Sequence, residues 1–482
     1  MSDFKKLIFL VFLIGIVYFF NLNNYLTAGG DDTHYFLLAR SLAETKTYSD
    51  IYLPEPKPHA IYPPLFSFIL SILMQSGIEK IYLLKLLSLF CSLASLIVLW
   101  FILKYHNIKP YKIILLFSLH PLLIYKSTNL LTEPLYILLS LLAILFLDLS
   151  KRKNFYLLVA IFFMILAFYT RTVGIVFLGV IFIFYKDDIK KLLLSASLFS
   201  FAASFWFLRL FRFDGLYLEF LLKKENNCVG LVDLFFRFFR NFLVYIAKVF
   251  GELFFYPYLD NITKKSPLIF IKVFLSLFLV FFIFRGYLNI AKKNRSFCSY
   301  TLFFLIICFF WPFYGARFIL PIFCFLILFL FEGLENFKFY RFKNIIFFLL
   351  LFLYLFASLP IVKGSFYSKE EFSFLDACFW MKSNTKKESI ILSRKPTVSF
   401  YFSSRPSITY KHSTDIERKL NELKSKKVDY IIFDIFGKEY KEFGLWDTDK
   451  FLSPLLEKYP SCFKLEYVTL DTETKVYKFE CK

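Results

Sequence analysis

The chain opens with LIFLVFLIGIVYFFNLNNYLTAGGDDTHY at residues 7–35, an apolar run that ends in a glycine pair and two adjacent carboxylates. A helix needs roughly 20 apolar residues to cross about 30 Å of hydrocarbon, so residues 7–26 are predicted to span a membrane. The run has no small-residue cleavage site, so we expect it to be retained rather than removed as a signal peptide. The acidic loop that follows it is then placed at a membrane surface.

The composition extends this prediction to most of the chain. Of the 482 residues, 58% are apolar and 70 are Phe, whereas soluble proteins are about 45–50% apolar. Residues 1–364 hold 37 Lys and Arg and 19 Asp and Glu, while the much shorter segment 365–482 holds 21 and 18. We therefore predict a polytopic α-helical membrane domain at 1–364, followed by a soluble α/β domain at 365–482.

About eleven apolar runs approach the length of a transmembrane helix. They lie at about 7–26, 81–104, 112–128, 135–149, 155–170, 172–186, 191–210, 267–285, 299–314, 316–334 and 344–362. Basic residues fall in every second connection, as is typical of cytoplasmic loops. With the N-terminus inside, loops 27–80 and 211–266 and the C-terminal domain share the extracytoplasmic face of the cell (inner) membrane.

Two apolar segments fit poorly as spans. Residues 63–76 are too short, and residues 231–256 carry polar side chains at helical spacing, which is typical of a helix lying in the headgroup plane. These polar residues are Arg237, Asn241, Lys248 and Glu252.

The net charge of +21 does not indicate nucleic-acid binding, because most of the excess belongs to the membrane domain. The eight Cys show no metal-binding spacing. Cys462 and Cys481 could pair if the tail is extracytoplasmic, but the sequence does not decide whether they do. In that tail we expect helices at 368–383 and 415–427, and strands at 389–392, 430–433 and 465–470.

A few ionisable residues on the outer face carry the chemical information, since charge near membrane depth is costly. They are Asp31 and Asp32 in the first loop, Glu133 in the next, and Arg171 and Arg317 at the starts of later spans. Structural interpretations stay open: the acids as helix caps or first-turn residues, and the arginines as snorkelling cations. In combination, an acid that deprotonates a hydroxyl and guanidinium groups that hold a phosphate suit transfer from a lipid-linked phosphate donor.

The order of these motifs resembles the GT-C glycosyltransferases, which are polytopic enzymes that take a sugar from a polyprenyl-phosphate carrier. The likeness is to glycosyltransferase family 39, the protein O-mannosyltransferases, and to the lipid A aminoarabinose transferases. It rests on one span followed by Asp31-Asp32, Tyr35-x-x-x-Ala39-Arg40, Tyr62-Pro63-Pro64-Leu65, Glu133-Pro134-Leu135, Arg171-x-x-Gly174 and Arg317-x-x-x-Pro321.

The resemblance implies catalytic roles for Asp31, as the base, with Asp32 beside it and Glu133 as a second acid. It places Arg171 and Arg317 near the donor phosphate, and we count Arg237 and Arg240 as further candidates there. His34, Tyr35, His59 and Tyr62 are candidate substrate-loop residues. Because Ile61-Tyr62 replaces the Glu-Lys pair of the aminoarabinose transferases, that substrate is in doubt. Metal ligands stay unknown, and a divalent metal is an open option.

The sequence thus predicts an integral membrane glycosyltransferase that inverts configuration at the sugar, moving it from a polyprenyl-phosphate donor to a lipid, glycan or protein acceptor on the outer face. The alternatives are a transporter or flippase of lipid-linked saccharides, and a non-catalytic envelope scaffold. The sequence does not identify the sugar, the acceptor or the oligomeric state.

Overall fold

The computed structural model describes residues 3–213, 231–259, 267–336, 340–363, 367–410, 415–434, 448–470 and 474–481. The chain forms two compact units. The first, here called the helical unit, comprises Met1–Asn23, Ala60–Phe66 and Tyr82–Gly364. The second, called the α/β unit, comprises Asn24–His59, Ser67–Ile81 and Ser365–Lys482.

The described part of the helical unit consists of helices joined by short connections. Its α-helices are Asp3–Phe20, Ile81–Tyr105, Tyr111–Ser118, Pro121–Ser127, Glu133–Leu149, Phe155–Thr170, Val176–Phe184, Ile189–Phe213, Leu231–Val244, Phe250–Phe254, Ile269–Ala291, Arg295–Phe310, Ala316–Ile319, Phe323–Asn336 and Tyr340–Lys363, with 3₁₀ turns at Thr172–Ile175 and Leu320–Ile322 and a π-helical turn at Tyr245–Val249. Among the described residues, four helical stretches are long and apolar enough to cross a membrane: Ile81–Tyr105, Ile189–Phe213, Ile269–Ala291 and Ala316–Glu335.

One expected span is broken in the middle. The apolar run 112–128 forms the two short helices Tyr111–Ser118 and Pro121–Ser127, because Pro121 lacks the amide hydrogen that a continuous helix would need there. His120 lies buried at the break, with Nε2 2.8 Å from the carbonyl oxygen of Leu253. Counting apolar residues alone does not reveal such a break.

The helix Ile269–Ala291 buries a charged side chain and exposes aromatic ones. The helix Ile269–Ala291 exposes Phe270 and Phe274 but buries Lys272 completely, with its Nζ 2.5 Å from Oε1 of Glu252. Such an arrangement suits a helix whose outer face meets lipid.

The segment 231–256, which we expected in the headgroup plane, likewise has buried polar and exposed aromatic side chains. The helix Leu231–Val244 buries Arg237 and Asn241 while Phe235 and Phe239 are exposed. Asn241 Nδ2 donates to the carbonyl oxygens of Phe309 and Trp311, at 3.0 and 2.6 Å. The polar face of this helix therefore supplies hydrogen-bond donors to carbonyl groups at the C-terminal end of the helix Arg295–Phe310.

Two glycines set the closest helix crossing. A Cβ built on Gly286 would lie 1.8 Å from the carbonyl oxygen of Phe329, and one on Gly333 would lie 2.0 Å from the carbonyl oxygen of Phe282. The helices Ile269–Ala291 and Phe323–Asn336 therefore touch backbone to backbone, as small residues allow in membrane helix packing.

The α/β unit contains all the strands of the described chain. A two-stranded antiparallel pair joins β1 (Ser49–Asp50) to β2 (Lys57–Pro58). The main sheet has the order β4-β3-β5-β7-β6, where β3 is Ile391–Leu392, β4 Ser407–Ile408, β5 Tyr430–Phe433, β6 Phe463–Val468 and β7 Lys475–Phe479. Strands β3, β4 and β5 are parallel, and β7 and β6 continue the sheet antiparallel.

The α/β unit also contains helices, of which Leu65–Gln75 begins in the helical unit. They are Asp31–Thr45, Leu65–Gln75, Lys369–Asn384, Pro396–Ser403, Ile416–Ser425 and Thr448–Lys458. Ser368 and Glu371 form a capping box that starts the helix Lys369–Asn384, and Cys462 and Cys481 form a disulfide bond. The α/β class expected for the tail is therefore confirmed.

We expect Gly286→Ala to destabilise the helical unit, because its methyl group would collide with backbone rather than with a mobile side chain. Overpacking of this kind costs about 1–3 kcal/mol, and we expect the upper end of that range. The measurement is the thermal unfolding midpoint of the detergent-solubilised chain. Gly15→Ala is the matched control, since its Cβ would meet only the tip of the Leu93 side chain, at 3.3 Å. An unchanged midpoint for Gly286→Ala would contradict the backbone contact.

Candidate functional site

The acidic loop lies in the α/β unit and places its two carboxylates differently. Gly30 has φ 98°, a left-handed conformation that glycine adopts without strain, and the helix Asp31–Thr45 starts directly after it. Asp32 is fully buried. Its oxygens accept from the Thr27 amide at 2.6 Å, the Thr27 hydroxyl at 2.8 Å and the Thr33 amide at 2.9 Å. The hydrogen bonds of Asp32 therefore fix the conformation of the loop.

Asp31 is only partly buried and occupies the first position of the helix. The resemblance names Asp31 as the base with Asp32 beside it, and Asp31 is the more exposed of the two, as access to an acceptor requires.

The loop is anchored to residues at the far end of the chain. The hydroxyl of Tyr367 donates to the carbonyl oxygen of Leu26 at 2.8 Å, and Nζ of Lys395 donates to the carbonyl oxygen of Gly29 at 2.7 Å. Lys395 follows strand β3 and precedes the helix Pro396–Ser403, so it lies at the carboxyl edge of the parallel strands. Ligand sites of α/β sheets typically lie at that edge.

The candidate loop residues His34 and His59 converge on one carboxylate. His34 Nε2 lies 2.9 Å from Oδ1 of Asp50, and His59 Nδ1 lies 2.9 Å from the same oxygen. Burial raises the pKa of Asp50, but the hydrogen bonds with His34 and His59 outweigh burial and hold its pKa below the ordinary value. His59, one of the candidate substrate-loop residues, is buried.

Glu133 and Arg171 meet in the helical unit, and Lys126 joins them. Oε1 of Glu133 lies 3.1 Å from Nη1 of Arg171 and 3.2 Å from Nζ of Lys126. Arg171 Nη1 also donates to the hydroxyl of Thr132 at 3.0 Å. We call Lys126, Glu133, Arg171 and Arg317 the basic cluster, since Arg317 also acts electrostatically on Glu133.

The basic cluster has three cations for one carboxylate. Lys126 and Glu133 are buried, whereas Arg171 is partly exposed and Arg317 is exposed. Partial neutralisation by Glu133 lets the cations approach one another, and the remaining positive charge favours an anion such as a phosphate.

The other predicted residues have varied surroundings. Arg237 is buried within the helical unit, while Arg240 is exposed and donates through Nε to Oδ1 of Asn241 at 3.3 Å. Tyr35 is buried, and its carbonyl oxygen accepts from the hydroxyl of Ser67 at 3.3 Å. Tyr62 is partly buried in the helical unit.

Sequence reasoning missed three residues of these clusters. Lys126 was hidden inside a run taken as a span, although a lysine there is itself a signal. Asp50 lies between His34 and His59 in the first loop, and this pattern can be read from the sequence. Lys395 gave no local signal, because its partner Gly29 is 366 residues away.

No protein-family model and no curated protein sequence matches this chain. Solved structures do resemble it. ArnT from Cupriavidus metallidurans bound to undecaprenyl phosphate is 10% identical, with a TM-score of 0.58 over 100% of this chain and 99% of ArnT. The archaeal oligosaccharyltransferase AglB from Archaeoglobus fulgidus, in complex with an inhibitory peptide and a dolichol-phosphate, is 14% identical, with a TM-score of 0.56 over 100% of this chain and 75% of AglB.

A third similar structure is the arabinofuranosyltransferase AftD from Mycobacteria. It is 12% identical, with a TM-score of 0.50 over 100% of this chain and 42% of AftD, so the chain spans less than half of AftD. All three proteins are membrane glycosyltransferases of the GT-C superfamily. The GT-C resemblance is therefore confirmed at the level of the fold, which this chain shares over its whole length.

Proposed function

We propose that this protein is an integral membrane glycosyltransferase that moves a sugar from a polyprenyl-phosphate donor to an acceptor on the outer face of the membrane. The observation that carries the proposal is the basic cluster, in which Lys126 and Arg171 share the carboxylate of Glu133. The fold shared with ArnT and AglB supports the donor class, since those structures hold undecaprenyl phosphate and a dolichol-phosphate.

The cations are assigned to the donor phosphate. Arginine presents several donors in a planar fork that matches phosphate oxygens, and Arg171 and Arg317 are the accessible cations of the cluster. When the glycosidic bond to the carrier breaks, negative charge grows on the phosphate. Fixed cations stabilise that charge most in the transition state.

Asp31 is assigned to the acceptor. Its carboxylate takes the proton of an acceptor hydroxyl while the hydroxyl oxygen attacks the anomeric carbon. The new bond forms as the bond from that carbon to the phosphate oxygen breaks, so the configuration of the sugar inverts. The polyprenyl phosphate leaves as an anion, and the proton stays on Asp31.

Glu133 is assigned a positioning role rather than proton transfer. Its Oε1 forms ion pairs with Lys126 and Arg171. Because these pairs stabilise the negative charge of the carboxylate, they make Glu133 a weaker proton acceptor. The proposal includes the eleven predicted spans, with Asp31, Glu133 and the C-terminal domain on the extracytoplasmic side. Donor sugar and acceptor stay open.

We expect Asp31→Asn to lower sugar transfer by at least about 100-fold, since a positioned general base contributes about 10²–10⁴-fold. The measurement is transfer from polyprenyl-phosphate sugars to acceptors in membranes that contain the protein. Asp415→Asn is the matched control, because Asp415 also begins a helix of the α/β unit. Activity near wild type in Asp31→Asn would remove the assignment, and saccharide translocation without transfer would favour the flippase alternative.

The basic cluster gives a second expectation. Arg171→Gln should weaken binding of undecaprenyl phosphate by about 10–100-fold, because a hydrogen bond to a charged group contributes about 1.5–3 kcal/mol. Glu133→Gln keeps an oxygen for its partners and should leave that binding equal or tighter. Binding is measured by native mass spectrometry of the solubilised protein.

Arg295→Gln is the control for Arg171→Gln, since Arg295 pairs with Asp187 at an exposed site. If Glu133→Gln abolished turnover as completely as Asp31→Asn does, with an unchanged unfolding midpoint, Glu133 would be a catalytic acid or base instead.

Lys395 is expected to act through the loop that it holds. Lys395→Met should lower kcat about 10-fold and leave binding of undecaprenyl phosphate unchanged, since small displacements of a catalytic group are costly. Lys395→Arg should restore activity because it can still donate to the Gly29 carbonyl. Lys464→Met, at an exposed lysine that pairs with Glu466, is the control. Weaker phosphate binding or no rescue by arginine would contradict the positioning role.

A further inference from the structure

Three metal-binding side chains meet in the α/β unit, outside both groups of residues assigned to the reaction. They are His34, Asp50 and His59, and one ligand atom from each lies within 4.8 Å of the others. Their side chains are 12%, 14% and 0% exposed, respectively. Buried imidazole and carboxylate groups that point at one centre are the donor set of a transition-metal site.

Regular backbone structure holds each of the three residues. Asp50 lies in β1, opposite Lys57 of β2, and His59 directly follows β2. The His59 amide donates to the carbonyl oxygen of Tyr48 at 2.9 Å, which extends the pairing by one step. His34 lies in the first turn of the helix Asp31–Thr45. The ligand atoms are thus positioned before any ion arrives, and little ordering is needed on binding.

Aromatic rings surround the cluster. The ring of Tyr52 lies edge-on to His34 with centroids 5.5 Å apart, and the ring of Tyr48 lies edge-on to His59 at 5.4 Å. An apolar shell around a metal site limits the access of water and strengthens the bond between ion and ligand.

The donor chemistry selects the ion. Two nitrogens and one oxygen suit Zn²⁺ and similar divalent transition metals, whereas Mg²⁺ and Ca²⁺ prefer oxygen ligands alone. Three protein ligands leave one position of a tetrahedral ion open for water or another ligand. Neutral imidazoles can expose Nε2 of His34 and Nδ1 of His59 by a change of tautomer, without net loss of a proton.

We propose that His34, Asp50 and His59 bind one divalent transition-metal ion, zinc by ligand preference, with one coordination position open. The ion ties the β1–β2 pair to the helix that begins at Asp31. The metal site and the assignment of Asp31 as base are independent claims, because either holds without the other.

The test uses the full chain, purified in detergent without a histidine tag, stripped with EDTA and dialysed against buffered Zn²⁺. Metal content by inductively coupled plasma mass spectrometry should reach about one zinc per chain, the single ion that three such ligands hold. His34→Gln and His59→Asn keep a donor for Asp50 but lose the ligand nitrogen. They should bind zinc at least about 100-fold more weakly, since even the loss of an outer partner costs about 10–100-fold.

The matched control is His106→Gln. His106 also contacts a buried carboxylate, with Nε2 2.8 Å from Oδ2 of Asp148, but it belongs to no three-ligand group among the described residues. It should leave zinc content unchanged. As a second readout, added Zn²⁺ should raise the unfolding midpoint of the stripped wild-type chain and of His106→Gln, but not of His34→Gln or His59→Asn.

Wild-type chain that holds no stoichiometric zinc after dialysis would overturn the proposal. Zinc content in His34→Gln and His59→Asn equal to that of the wild type would do the same. In either case the three residues form a hydrogen-bonded triad that fastens the loop without an ion.

Discussion

The ion pairs of Glu133 with Lys126 and Arg171 are the contacts on which the helical unit's chemistry depends. A charge in an apolar environment is tolerated only with a partner, and one carboxylate here serves two cations. The same constraint appears where Glu252 meets Lys272. Because such pairs cannot separate without leaving a buried charge, they hold Lys126, Glu133 and Arg171 together.

The acidic loop obeys a different constraint, which is the supply of hydrogen-bond donors. Asp32 takes three of them from Thr27 and Thr33 and is thereby committed to structure, while Asp31 keeps the partly exposed first position of its helix. One fold therefore uses neighbouring carboxylates for opposite purposes. Burial with hydrogen-bond donors makes Asp32 part of the loop structure, while Asp31 remains accessible at the start of the helix.

Much of the fold and part of the site could be predicted from the sequence, and the gaps have physical causes. Apolar runs and the order of the motifs were sufficient to predict the GT-C fold, and short apolar runs were sufficient to predict strands such as Tyr430–Phe433. Lys126 was missed because hydropathy averages over a window and ignores the break at Pro121. Asp31 and Asp32 are identical as residue types, so only the position of Thr27 separates them. The number of spans stays a prediction beyond the four long helices.

The bond from Lys395 to the Gly29 carbonyl has a consequence for biosynthesis. Ribosomes synthesise Gly29 366 residues before its partner Lys395. During elongation the early loop has neither Lys395 nor Tyr367 to anchor it. Contacts between such distant positions form late in folding. A nascent chain that has not yet reached Tyr367 and Lys395 therefore lacks the two contacts that hold the Gly29-Gly30 turn in place.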